Sequence, residues 1–189
     1  MPEKVVETAY PVIDSDPHAY RVVRYMRPSD FGAWAAVTAA FPAAFFAWGT
    51  GYSLSLSGFK GVYDLAEMAD PSAMTQKQLR LGMRGAGILG LFGGFLFAYQ
   101  RSSLRFFGMS ENKREEELDL QELTQRAKEG KSLYGESPQP QWVQSAAHQN
   151  SVWSQFKFSA IPMFNLVNHP YHGTDPAKYG VTTEDTTSK

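Results

Sequence analysis

The chain has 189 residues, no cysteine, a formal charge of -1 and a pI near 6.4, so a thiolate metal centre, a disulfide framework and an overall basic surface for nucleic acid are all excluded. Its mean hydropathy of -0.34 averages two apolar segments against long polar flanks, which is the profile of a membrane protein with soluble arms. The first residues, MPEKVVETAY, carry Glu3 and Glu7 and lack both an apolar core and an arginine-rich, acid-poor character, so any targeting signal is expected to be internal.

In chain order, residues 1–29 form an N-terminal segment with a short amphipathic helix. Asp16 is the expected N-cap and Pro17 the first helical residue, with Ala19, Val22, Val23 and Met26 on one face. Arg21, Arg24 and Arg27 make a local basic cluster, and Tyr20 and Tyr25 suit headgroup depth, so the helix lies either in the membrane interface or on a protein surface. Pro28 should end it, and Ser29 or Asp30 can cap the next.

The first spanning helix is placed at 30–58, inside a run of 29 residues, 31–59, with no charge. Pro42 removes one backbone donor, so a kink is expected, relieved by neighbouring helices or the Thr38 hydroxyl. Trp34, Trp48 and Tyr52 suit its ends, and the glycine- and serine-rich stretch after Gly49 should loosen its last turn near Leu56. A connecting loop, 59–74, follows, and the Asp70-Pro71 turn leads to a second spanning helix at 75–101, where Thr75 and Gln78 have capping-box spacing. Only 16 residues separate Arg84 from Arg101, roughly 24 Å of helix against a hydrocarbon core of about 30 Å, so Arg84 must snorkel or face protein.

Both apolar helices place a small residue at every fourth position: Ala35, Ala39, Ala43, Ala47 and Gly51 in the first, Gly82, Ala86, Gly90, Gly94 and Ala98 in the second. Lipid offers little hydrophobic drive for helix pairing, so such stripes mark faces where helices approach closely, here expected against helices of partner proteins.

A polar helix region, 102–131, comes next, with Ser110 as N-cap, acidic residues early, a thin apolar face of Leu118, Leu120, Leu123 and Ala127, and Gly130 as its stop. Residues 132–189 read as an extended arm in which Pro138, Pro140, Pro162, Pro170 and Pro176 alternate with Trp142, Trp153, Phe156, Phe158, Phe164, Tyr171 and Tyr179. Such an arm is too broken to fold alone and too aromatic to be a linker, so it should lie on another protein. The expected fold is thus an all-α membrane protein: a two-helix transmembrane hairpin, a short amphipathic helix, a polar helix and an extended arm.

Chemical motifs are few. Gly85, Gly87 and Gly90 match a dinucleotide fingerprint, but no strand precedes them, and helix packing explains them. His169-Pro170-Tyr171-His172 with His148 suggests a metal site at first sight; the proline prevents a helix from presenting both imidazoles and no cysteine completes a soft set, so no metal is expected. Asp14-Ser15-Asp16 lacks the glycine and terminal glutamate of a calcium loop. Neither span holds an intramembrane acid, which argues against a pump or carrier. No catalytic, cofactor-binding or metal residue is therefore assigned, and no cofactor.

The block YPVIDSDPHAYRVVRYMRPSDF at 10–31, the glycine-rich two-helix segment after it and the arm containing NLVNHPYHG at 165–173 resemble the fungal 21 kDa accessory subunits of mitochondrial respiratory complex I. The resemblance implies a multi-pass protein of the mitochondrial inner membrane, partnered by other membrane-arm subunits and by membrane lipids. It implies no nucleic acid, no small-molecule substrate and no catalytic residue, because the flavin, iron–sulfur and quinone chemistry belongs to other subunits. The expected role is a non-catalytic accessory subunit supporting assembly and stability. The alternative is a subunit of an inner-membrane protein translocase or a glycine-zipper channel, which should show a polar stripe facing a cavity.

Overall fold

A computed structural model of the chain describes residues 7–49, 74–151, 153, 155 and 162–180. It contains five α-helices among them, α1 (Ala19–Arg24), α2 (Pro28–Gly49), α3 (Gln76–Phe106), α4 (Lys113–Lys128) and α5 (Gln141–Ser151), and a closing 3-10 turn, Pro176–Tyr179. Among the described residues the extended pairing is an isolated parallel bridge, His18 with Asn165. The chain divides into two compact units, Pro28–Ala98 and the combination of Met1–Arg27 with Tyr99–Lys189.

The first of these units holds α2 and most of α3, each long and apolar enough to cross a membrane. Pro28 opens α2 instead of merely ending its predecessor, since its fixed φ and missing N–H suit a first helical position. The helix continues through Pro42. The Thr38 hydroxyl, expected to relieve that proline, donates instead to the Gly90 carbonyl at 3.3 Å. The Thr75–Gln78 capping box is formed as expected: the Thr75 amide donates to Gln78 Oε1 at 2.8 Å and the Gln78 amide to Thr75 Oγ1 at 3.4 Å. Gly51, Tyr52, the end near Leu56 and the loop at 59–73 lie outside the described residues.

The other unit is built around α1, the end of α3 and α4. His18, not Asp16, caps α1: its Nδ1 accepts from the Tyr20 amide at 3.3 Å, while Asp16 is buried elsewhere. Ala19 and Val22 are buried, and the Val22 carbonyl accepts from Ser102 Oγ at 2.8 Å. A short hydroxyl side chain at this place lets α1 and the end of α3 meet closely. Tyr25 lies against Phe106, ring centroids 5.3 Å apart, so it is core and not a headgroup anchor, whereas Tyr20 is exposed. Gly108 reverses the chain after α3 with φ +70°, and a side chain there would run into the Tyr10 carbonyl at 2.3 Å.

Asn112, not Ser110, stands at the start of α4; its amide is spent donating to the carbonyls of Pro11 at 2.7 Å and Arg105 at 2.8 Å. The described residues after 131 are less extended than the sequence suggested. They include α5, and they contribute to the core: Tyr179, His169 and His172 are buried. The prolines confine regular structure to short pieces, yet Asn165, His172 and Tyr179 each find a partner in α1, α4 or the loop before α1.

Candidate functional site

In the Pro28–Ala98 unit the glycines of α3 meet the aromatic and threonine side of α2. A Cβ added at Gly90 would lie 2.7 Å from the Thr38 carbonyl and 3.1 Å from Phe41 Cβ. At Gly94 it would meet Trp34 at 2.7 Å, and at Gly82 the Phe45 ring at 2.1 Å. Trp34 Nε1 donates to the Leu91 carbonyl at 2.9 Å, and its ring packs on Phe95 at 5.3 Å. Ala86, Gly90, Gly94 and Ala98 are buried and Gly82 is half-buried, whereas Ala35, Ala39 and Ala43 are exposed and Ala47 is half-buried. The two small-residue stripes therefore differ: that of α3 is covered within the chain, while that of α2 is largely open.

In the other unit the three arginines of the N-terminal cluster face a row of acids on α4. Arg21 pairs with Asp119, Arg24 with Glu122 at 2.8 Å, and Arg27 with Glu115. Arg21 and Arg24 lie three apart on α1 and Arg27 three further on, past its end, while their partners are spaced four and three along α4. Glu115 and Asp119 are fully buried, and each has a further partner: Arg105 Nε forms an ion pair with Glu115 at 3.3 Å, and the Tyr179 hydroxyl donates to Asp119 at 2.7 Å. Arg21 also reaches Asp14 at 3.1 Å. Buried charge is tolerable only when paired and hydrogen-bonded in this way. Burial would lower the Arg21 guanidinium, but Asp14 and Asp119 overcome it and hold the charge more firmly than usual. Burial pushes the Asp119 carboxyl up, and Arg21 and Tyr179 pull against it.

The loop before α1 carries two further buried acids. Asp14 accepts from the Asp16 amide at 3.0 Å and faces His172 Nδ1 at 3.0 Å. Burial alone would raise its carboxyl; His172 and Arg21 more than offset this and leave it below the usual carboxylate range. His172, lowered by burial and raised by Asp14, ends above the ordinary imidazole value, stacked at 3.7 Å on Tyr134. Asp16 gathers two other histidines: His169 Nε2 lies 2.9 Å from its Oδ2 and His148 Nδ1 3.6 Å away, with Ser151 Oγ donating to the same oxygen and Asn165 Nδ2 to Oδ1 at 3.0 Å.

Of the residues singled out from sequence, Gly82, Gly90 and Gly94 of the α3 stripe meet α2, Ala35, Ala39 and Ala43 of the α2 stripe are exposed, and Gly51 is outside the described residues. The arginine cluster was seen, but not its acidic partners. The apolar face expected on α4 is reduced to Leu123, with Leu118 and Leu120 exposed. His148 and His169, set aside because a proline separates the latter from His172, come together through Asp16, 132 positions before the nearer of them. The available signal was four histidines in a chain with two acids in one DSD loop.

Comparison with known proteins follows this anatomy. Residues 7–53 and 49–111 match the family model described as NADH-ubiquinone oxidoreductase complex I, 21 kDa subunit, and 120–188 match that of the C-terminal part of the same subunit. The NADH-ubiquinone oxidoreductase 20.9 kDa subunit of Neurospora crassa is 42% identical over 176 residues, covering 93% of this chain and 84% of that one. The helical pair falls inside the first match, the two models together leave out only 112–119 between residues 7 and 188, and the relative covers 93% of the chain, so the chain belongs to the family of 21 kDa subunits of complex I, the NADH-ubiquinone oxidoreductase.

Proposed function

We propose that the chain is a non-catalytic accessory subunit of the membrane arm of mitochondrial complex I, held in the inner membrane by α2 and α3 as a transmembrane hairpin and supporting assembly and stability. The observation that carries this reading is the open alanine stripe of α2. With the glycine stripe of α3 already covered, Ala35, Ala39 and Ala43 present a flat face suited to close approach by a helix of another subunit. Phe31, Phe41 and Phe46 of α2 and Ile88, Leu89 and Phe92 of α3 are exposed, as expected of side chains that meet lipid or neighbouring subunits. Asp14, Asp16, Glu115 and Asp119 are taken up by arginines and histidines, so their charge serves to hold segments together. The family match sets aside the translocase alternative.

The test is a native gel of mildly solubilised mitochondrial membranes with mass spectrometry of its bands. The chain is expected to comigrate with NADH dehydrogenase activity, and its deletion to lower the abundance of the full assembly. A full-sized, fully abundant complex without the chain would overturn the assembly role, and migration in a separate body would overturn the membership of the arm.

A further inference from the structure

Asp16, His148 and His169 come from the loop before α1, from α5 and from the segment after it, and each offers one donor atom, all within 4.8 Å of one another. We propose that these three residues form a zinc site that staples the three segments together. Two imidazoles and a carboxylate are a donor set suited to zinc, leaving a fourth position for water. Tetrahedral zinc with bonds of about 2.0–2.1 Å sets its ligand atoms about 3.3 Å apart. The observed 2.9 Å from His169 Nε2 to Asp16 Oδ2 and 3.6 Å from His148 Nδ1 to the same oxygen bracket that value.

Three further observations favour the site. His148 Nδ1 is buried without a hydrogen-bond partner although it points toward a carboxylate, so its lone pair has no assignment in a purely hydrogen-bonded cluster. Asp16 is held in place by Asn165, and by Ser151, which itself belongs to α5; such outer contacts fix a carboxylate ligand. Asp16 and Ser151 also border a cleft of about 250 Å³, a route by which an ion and its water reach the carboxylate.

Loading has a defined proton balance. His169 Nδ1 accepts from the Tyr171 amide at 3.2 Å, so without metal the ring proton sits on Nε2, 2.9 Å from Asp16 Oδ2 and 3.0 Å from Asn165 Nδ2. When zinc takes the Nε2 lone pair, that proton passes through solvent to Nδ1. Nδ1–H would then face the Tyr171 amide, whose 3.2 Å hydrogen bond to that nitrogen would be given up, and the ring would stay neutral.

The test tags the chain itself, purifies from its own host cells whatever assembly holds it, and counts zinc per chain by elemental mass spectrometry. The wild type is expected to carry one equivalent of zinc more than His148→Ala or Asp16→Asn, while His18→Gln, which alters a histidine outside the cluster, keeps the wild-type count. Equal zinc in wild type and His148→Ala, with the chain present in both, overturns the site. Should the variants fail to join the assembly, a density map of the wild-type assembly decides. A peak about 2.0–2.2 Å from all three donor atoms supports zinc, and direct His169–Asp16 contact with no peak between overturns it. Because the tag reports the chain in any assembly, this count and the comigration with NADH dehydrogenase succeed or fail separately.

Discussion

At the scale of single residues, the acids of α4 matter most because burial removes their alternatives. Glu115 and Asp119 have no access to water, so each depends on the arginines and, for Asp119, on the Tyr179 hydroxyl. Asp119→Ala leaves Arg21 with Asp14 as its remaining carboxylate partner, and stripping a buried pair of one member costs about 3–5 kcal/mol. The expected result is a lower temperature at which the chain leaves its assembly, with Glu117→Ala, an exposed neighbour on the same helix, close to wild type. Glu122 sets an acid limit. Burial would raise its carboxyl, but the Tyr25 hydroxyl and Arg24 overcome this and bring it below its ordinary value of 4.5. A carboxyl lowered on folding contributes stability that is complete above that ordinary value and is lost as pH falls through the folded one. Release of the chain in mild acid should therefore begin below about pH 4.5, and Glu122→Gln should flatten that dependence; an unchanged acid profile would count against it.

Among elements, the glycines of α3 are not equivalent. Gly90→Leu must displace the Thr38 carbonyl, a backbone atom that cannot move aside as a side-chain tip would, and is expected to reduce the abundance of the complex on a native gel. Gly85→Ala meets nothing within 4 Å and should be neutral or gain up to about 1 kcal/mol from helix propensity. Equal losses at both positions would show that the close approach of α2 and α3 is not what these glycines serve. This contrast also marks what was legible beforehand. Small-residue spacing located the stripes, and Thr75 and Gln78 located a helix start, because both signals are local. Which stripe would be covered within the chain was not legible, since it turns on Trp34, Thr38, Phe41 and Phe45 lying one or two positions aside from the alanines. Likewise Asp16 looked like an N-cap by its neighbours alone, and its true partners, His169 and Ser151, lie more than 130 positions away.

For the molecule as a whole, the residues after α4 carry more of the fold than their prolines suggested. Tyr179 donates to Asp119 across 60 positions, Ser15 Oγ donates to the His172 carbonyl at 3.1 Å, and the Ala19 amide donates to the Asn165 carbonyl at 2.7 Å. A chain ending at Gly173 lacks the 3-10 turn and Tyr179, leaving Asp119 short of one donor. It is expected to be degraded faster than wild type in a pulse-chase experiment while still inserting α2 and α3 into membrane. Normal turnover would mean that the charged unit closes without its last segment. The arm was illegible as core because its contacts are single residues set into other elements, with no periodicity of their own to detect.

The clamp on α4 is built from Arg21 and Arg24 of α1 and Arg27 just past its end, with Arg105 beside Glu115, and contains no lysine. A guanidinium keeps its proton at any pH a cell reaches, and it is not the group that acetyl donors modify. Metabolic surges that acylate ε-amines thus find nothing to neutralise where the two helices meet: treating the solubilised assembly with an amine-acetylating reagent should cap the lysines of α4 and leave α1 seated upon it.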